Sequence, residues 1–209
     1  MIPYGKQDIT SEDIDEVINV LKSDFLTQGP KVEDFEKNLC TYTGAKHASV
    51  VNSATSALHI ACLALGLSKE DILWTSPVTF VASANCGLYC GAKIDFVDID
   101  ENTLNVSLKK LEEKLKTAKL KKKLPKIFIG VDFAGNPYDH KGVYKLLKKY
   151  NVKIISDSSH SLGAKIKNYK IGSCKWTDIS VFSFHPVKII TTAEGGVAVT
   201  NNKKIYEKM

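Results

Sequence analysis

Three short stretches of this 209-residue chain carry side chains that could do chemistry together. In Ser183-Phe184-His185-Pro186-Val187-Lys188 a lysine follows an apolar run and is hemmed by Phe184, Val187 and Ile189. Desolvation at such a place lowers the pKa of an ammonium, which is what an imine-forming lysine requires. In Asp157-Ser158-Ser159-His160 a carboxylate ends the apolar run KIIS. A buried carboxylate needs a cation or hydrogen-bond donors; it could keep a ring nitrogen protonated, bind a metal or serve as a base. In Asn52-Ser53-Ala54-Thr55-Ser56 small and hydroxylated residues open a helical pattern, where free amides and the helix dipole attract an anion. Each stretch also has a plainer reading. A lysine is unremarkable in a chain with 29 of them, Asp157 can be a lone cap, and Ser53 or Thr55 can simply cap a helix. A metal at Asp157 would need further His or Asp at fixed spacing, and none stands nearby. There is no GxGxxG and no GxxxxGKS, so neither a Rossmann dinucleotide site nor a P-loop is supported.

Positioning these groups requires strands that end beside one another. Ile14, Val17, Ile18 and Leu21 recur at helical spacing behind the capping candidates Thr10 and Ser11, and a second helix follows Pro30 with Val32, Phe35 and Leu39 inward. From there the pattern alternates. Strands are expected at 47–51, 72–75, 94–99, 127–133, 153–156, 179–184 and 196–200, helices at 54–65, 80–90, 108–119 and 141–150, and a small hairpin at 164–171. Strands alternating with helices predict an α/β fold with a mainly parallel sheet, whose ligands bind at the carboxyl ends of the strands. No internal repeat, low-complexity segment or linker is visible. The closing KKIYEKM, residues 203–209, reads as the opening turn of another helix, which points to a shortened protein or a fragment.

Composition narrows the function classes. With 44% hydrophobic and 25% charged residues the chain can build a sizeable core, which excludes a disordered, collagen-like or disulfide-stapled chain. Its formal net charge of +6 comes from lysine alone; arginine is absent. Nucleic-acid readers rely on arginine for bidentate contacts, so a lysine-rich solvated surface is the better reading. Cys86 and Cys90 share a helix face and could suggest a metal pair, but no second pair follows; the five cysteines read as free thiols of a reducing compartment. MIPYGKQDIT is not a signal peptide, and no run of about 18 apolar residues exists, so a soluble, cytoplasmic protein is expected.

One ligand suits all three stretches. Pyridoxal phosphate needs a phosphate site, an acidic partner for its pyridinium nitrogen and a lysine for covalent attachment. An aromatic on the ring face is also expected, and Phe80, after ILWTSPVT, is placed for stacking. At this point the sequence resembles the DegT/DnrJ/StrS-type sugar aminotransferases of pyridoxal-phosphate fold type I. The segments that carry the resemblance are LTQGPKVEDFE (26–36), NSATSALH (52–59), SPVTFVASAN (76–85), GAKIDFVDID (91–100), VDFAGN (131–136), SDSSHSLGA (156–164) and SFHPVKIITTAEGG (183–196).

The resemblance implies a three-layer αβα large domain over residues 1–209, with a helical arm to about 45, a core from about 46, and a C-terminal small domain missing. It implies that Lys188 carries the cofactor and shuttles a proton, that Asp157 faces the ring nitrogen, that His160 touches the phenolic oxygen, and that Phe80 stacks. The amides of Ala54, Thr55 and Ser56 with the Ser183 hydroxyl match the phosphate cradle, and Tyr4, Leu26 and Thr27 match segments lining a sugar-nucleotide site. Some family members with His in place of the lysine are dehydratases; Lys188 favours transamination. Within the family the likeness runs to the transaminases of pseudaminic acid biosynthesis. That implies transfer of an amino group from L-glutamate to C4 of a UDP-linked 4-keto-6-deoxy sugar, in a homodimer with shared active sites. A related nucleotide-sugar aminotransferase of perosamine or bacillosamine type, or a non-catalytic fragment, is the alternative.

Overall fold

The computed structural model describes residues 5–209. Two helices lead the chain: α1 (Ser11–Leu21), whose N-cap Thr10 forms a reciprocal capping box with Asp13, and α2 (Pro30–Thr43), opened by proline. The alternating part follows as β1 (His47–Val51), α3 (Ala54–Ala64), β2 (Ile72–Thr75), α4 (Ala82–Tyr89), β3 (Lys93–Phe96), α5 (Leu108–Leu120), β4 (Ile127–Val131), α6 (His140–Lys148) and β5 (Lys153–Asp157). A small hairpin of β6 (Lys165–Ile166) and β7 (Tyr169–Lys170) precedes β8 (Ile179–Ser183), β9 (Gly196–Thr200) and a last short helix, α7 (Lys203–Tyr206).

Seven strands form one sheet in the order β1-β9-β8-β5-β4-β2-β3. From β8 through β5, β4 and β2 to β3 every pairing is parallel, while β9 runs antiparallel between β8 and β1. Strand alternation sorts the side chains into two faces. Leu73, Ile127, Ile129, Ile155, Ile179, Val181 and Ala198 pack against α3 and α4. Trp74, Phe128 and Ile154 pack against α5 and α6, and Phe182, Val197 and Val199 join Leu39 of α2. The result is the expected three-layer αβα arrangement with a mainly parallel sheet, buried on both faces as such sheets must be.

Three boundaries and two burial expectations differ from the sequence reading. The apolar run IFIGVDF leaves the sheet after Val131, because Ala134 and Gly135 adopt positive φ (52° and 84°) and close a 3-10 turn at Phe133–Gly135. β3 stops at Phe96, and Ile99 instead bridges to Val106. Helix α4 begins at Ala82, so Phe80 stands before the helix. In α2, Leu39 is buried and Phe35 meets the Phe184 ring edge-on at 5.1 Å, but Val32 is exposed. The apolar stripe of α1, Ile14, Val17, Ile18 and Leu21, is exposed as well.

Candidate active site

All the residues singled out beyond residue 46, Ser56 apart, meet at one edge of the sheet. Because β1, β2, β4, β5 and β8 point the same way, the segments that follow them converge, and the antiparallel β9 enters from that same edge through Glu194 and Gly195. There they line a cavity of about 370 Å³ whose wall includes Ala54, Thr55, Phe80, Asp157, His160, Ser183 and Lys188.

The floor is Asp157, at the end of β5 and 6% exposed. Its Oδ2 accepts a 2.6 Å hydrogen bond from Ser83 Oγ, and its Oδ1 accepts one from Ser159 Oγ at 2.6 Å. Ser83 is in turn 2.8 Å from Thr79 Oγ1. Two short bonds of this kind keep a buried carboxylate in place. No lysine or histidine nitrogen among the described residues lies within ion-pair distance of it, so a cationic ring N–H is the partner this carboxylate suits.

Opposite, the loop after β8 brings Lys188 Nζ to 2.5 Å from His160 Nε2. Burial pushes the Lys188 ammonium below the ordinary lysine range, and the Asp157 carboxylate partly offsets this. Burial, then the neighbouring Lys188 charge, holds the His160 imidazole below the usual histidine value. A neutral imidazole at this distance can accept a hydrogen bond from the Lys188 ammonium.

Another part of the cavity wall is the start of α3. Ser53 caps it, with its Oγ accepting from the Ser56 amide at 3.1 Å. The capping reading of this segment is therefore correct, and it takes Ser56 out of the cavity: its amide is used by Ser53, and its hydroxyl donates to Asn52 Oδ1 at 2.7 Å. The amides of Ala54 and Thr55 have no partner among the described residues, which leaves two free donors at the positive end of the helix. Ser183 Oγ accepts a weak 3.4 Å bond from the His185 amide and keeps its own donor free for the same end. Phe80 is 72% exposed and lines the mouth with an open ring face.

Leu26 and Thr27 sit exposed between α1 and α2 and do not line this cavity. Tyr4 lies outside the described residues. Ser83 and Ser159 hold Asp157 and Thr79 holds Ser83; the sequence gives Ser159 and Thr79 only as neighbours of Asp157 and Phe80 and gives no signal for Ser83. Thr79 and Ser83 stand four apart, one helical turn, but nothing local aims them at a carboxylate 74 positions away.

A buried carboxylate, a depressed lysine, a helix N-terminus and an open aromatic at the carboxyl edge of a parallel sheet define a cofactor pocket of the pyridoxal-phosphate type. Comparison with known proteins gives the family. The model of the DegT/DnrJ/EryC1/StrS aminotransferase family matches residues 7–209, and the chain belongs to that family, whose aminotransferases use pyridoxal phosphate. It is 49% identical over 209 residues to the UDP-4-amino-4,6-dideoxy-N-acetyl-beta-L-altrosamine transaminase of Campylobacter jejuni, covering all of this chain and 54% of that enzyme. Among solved structures it is similar to Helicobacter pylori PseC, an aminotransferase involved in the biosynthesis of pseudaminic acid, with TM-score 0.88, 40% identity and 99% of this chain against 54% of that one. It is also similar to ntda of Bacillus subtilis, solved with bound cofactor PMP, with TM-score 0.83, 27% identity and 96% of this chain against 44% of that one. The chain thus spans about half the length of the relatives it matches. No helix among the described residues is long and apolar enough to cross a membrane.

Proposed function

We propose that this chain holds pyridoxal phosphate and belongs to an aminotransferase that moves an amino group from L-glutamate to C4 of a UDP-linked 4-keto-6-deoxy-N-acetyl hexose, as in the making of pseudaminic acid-type surface sugars. The observation that carries it is the meeting of Lys188, Asp157 and the open amides of α3 around one cavity. The choice of sugar rests on the names of the relatives that share 40–49% identity with it.

Once bound, the cofactor supplies an electron-withdrawing ring that allows a proton and an amino group to leave or join one carbon. Lys188 Nζ, whose ammonium burial disfavours, would hold the cofactor covalently and carry the proton at the reacting carbon. The Asp157 carboxylate, fixed by Ser83 and Ser159, holds the ring nitrogen's proton. His160 would meet the ring's phenolic oxygen, and the exposed Phe80 ring would stack on the ring face. Ala54 and Thr55 amides with Ser183 Oγ bind the phosphate, with Ser56 supporting the turn rather than touching the anion. The sugar nucleotide is assigned to the side of Leu26 and Thr27, together with Tyr4.

We read residues 46–209 as the cofactor-binding unit, preceded by a helical arm, and the working enzyme as a homodimer. The free thiols of the chain suit a reducing cytoplasm. A second reading is cofactor binding by these residues without turnover, which asks nothing of the part of the Campylobacter enzyme that this chain does not match. Adding L-glutamate to the cofactor-loaded protein separates the two. Conversion of the cofactor's visible band to that of its aminated form supports the transaminase reading. A bound but unresponsive cofactor supports the second, and no bound cofactor overturns both.

A further inference from the structure

Behind the cavity wall lies a buried polar cluster that the proposed chemistry does not use. Asp132 directly follows β4, whose last residue Val131 pairs with Asp157, and is 2% exposed. Its backbone amide donates to the Asp157 carbonyl at 3.0 Å. Its carboxylate is surrounded by donors from three segments. Oδ1 faces His140 Nε2 of α6 at 2.7 Å and the Tyr138 amide at 3.3 Å; Oδ2 accepts from Ser158 Oγ at 2.8 Å and Ser161 Oγ at 2.7 Å. The His140 ring is itself held flat against Tyr138, with centroids 3.8 Å apart and 13° between planes.

Ser158 and Ser161 bracket the turn that presents Ser159 and His160 to the cavity. The same turn is pressed from below by the 3-10 turn that follows Asp132. Gly135 has φ +84°, and a Cβ there would come within 2.6 Å of the His160 carbonyl oxygen. Only a backbone without a side chain fits against His160 at that point. The turn is therefore pinned at both ends by one carboxylate and backed by a glycine. A buried carboxylate is costly unless its donors are in place; here both Asp132 oxygens are satisfied, although the neighbouring Tyr138 hydroxyl has no partner among the described residues.

We propose that Asp132 is a positioning residue, which with His140 fixes the 157–161 turn so that Asp157, Ser159 and His160 present their side chains to the cofactor pocket. This rests on the pyridoxal-phosphate reading for its consequence, although the pinning of His160 is a property of the cofactor-free chain. The groups facing the His160 imidazole are Lys188 from the β8–β9 loop and Asp157 from β5; those facing Asp132 are His140 and Tyr138.

The test uses Asp132→Asn, which keeps the shape but loses the charge and one acceptor. Two readouts are taken on protein whose far-UV circular dichroism matches the parent: the NMR titration of the His160 imidazole without cofactor, and the dissociation constant for pyridoxal phosphate. The expected result is a displaced His160 titration and a dissociation constant raised about tenfold or more, the scale seen when an outer-shell partner of a ligating group is removed. His140→Gln, which retains a donor toward Asp132, keeps both values closer to the parent than His140→Ala does. Ser161→Ala gives a smaller change in the same direction and serves where Asp132→Asn fails to fold. A folded Asp132→Asn or Ser161→Ala protein whose His160 titration and dissociation constant both match the parent overturns the proposal. If the parent itself binds no cofactor, the functional reading falls, while the His160 titration still decides the role of Asp132.

Discussion

Two effects oppose each other at Lys188: burial disfavours its ammonium, and the Asp157 carboxylate restores part of the loss. With the folded pKa below the 10.5 of a free lysine, the unfolded chain binds more protons in the interval between the two values. Stability contributed by this group therefore rises with pH across that interval, and below it the charged lysine is a fixed cost. Cofactor-free Lys188→Met is expected to melt above the parent near neutral pH, with the gap closing as pH approaches 10.5. Thermal melts over that range check the sign, and a gap that widens contradicts it. At Asp157 the issue is charge rather than shape. Asp157→Asn keeps partners for Ser83 and Ser159 but loses the ion that pairs with a ring N–H. Hydrogen bonds to charged groups contribute roughly 1.5–3 kcal/mol, so the cofactor dissociation constant should rise roughly ten- to hundredfold. Equilibrium dialysis giving an unchanged constant would remove Asp157 from the site.

Among the elements, β9 approaches the start of α3 closely at the site. A Cβ on Gly196 would collide with the backbone of Ser53 and Ala54, so the strand can lie against the helix cap only as glycine. Gly196→Ala must push the first turn of α3 outward, and overpacking of this kind costs about 1–3 kcal/mol. Urea denaturation should show that loss, accompanied by weaker cofactor binding, because the Ala54 and Thr55 amides move with the turn. Loss of stability without loss of binding would place the phosphate elsewhere. The strands of this sheet were legible because apolar runs such as ISVF and GVAV are short, β-branched and bounded by turn residues. The exit of the chain after Val131 was not, since VDF continues the apolar run and only the positive φ at Ala134 and Gly135 ends it. Lys188, Asp157 and Phe80 could be picked out because each ends or follows a strand. Ser83 and Asp132 could not, because their roles come from strand order, which sets β4 beside β5 and brings α4 over Asp157.

For the whole molecule, the periodicity that found α1 tells which side is apolar but not what covers it. Among the described residues its stripe, continued by Phe25 and Leu26, stays exposed, whereas the equally regular apolar positions of α3 are buried in the core. Val17→Ser and Leu21→Ser should each change the stability of this chain by less than about 0.5 kcal/mol, and Leu58→Ala by about 2–5 kcal/mol. Denaturant midpoints compare them directly, and a large loss at Val17 would mean that the arm packs in solution. The central claim is that this chain, a member of the sugar aminotransferase family, places Lys188 where it takes pyridoxal phosphate covalently. Borohydride reduction of the protein mixed with the cofactor, followed by peptide mass spectrometry, tests it most directly. The account predicts a single dominant pyridoxyl adduct on Lys188, lost in Lys188→Met and with no compensating site. No adduct, or adducts scattered over the other 28 lysines with Lys188 unmodified, would contradict it.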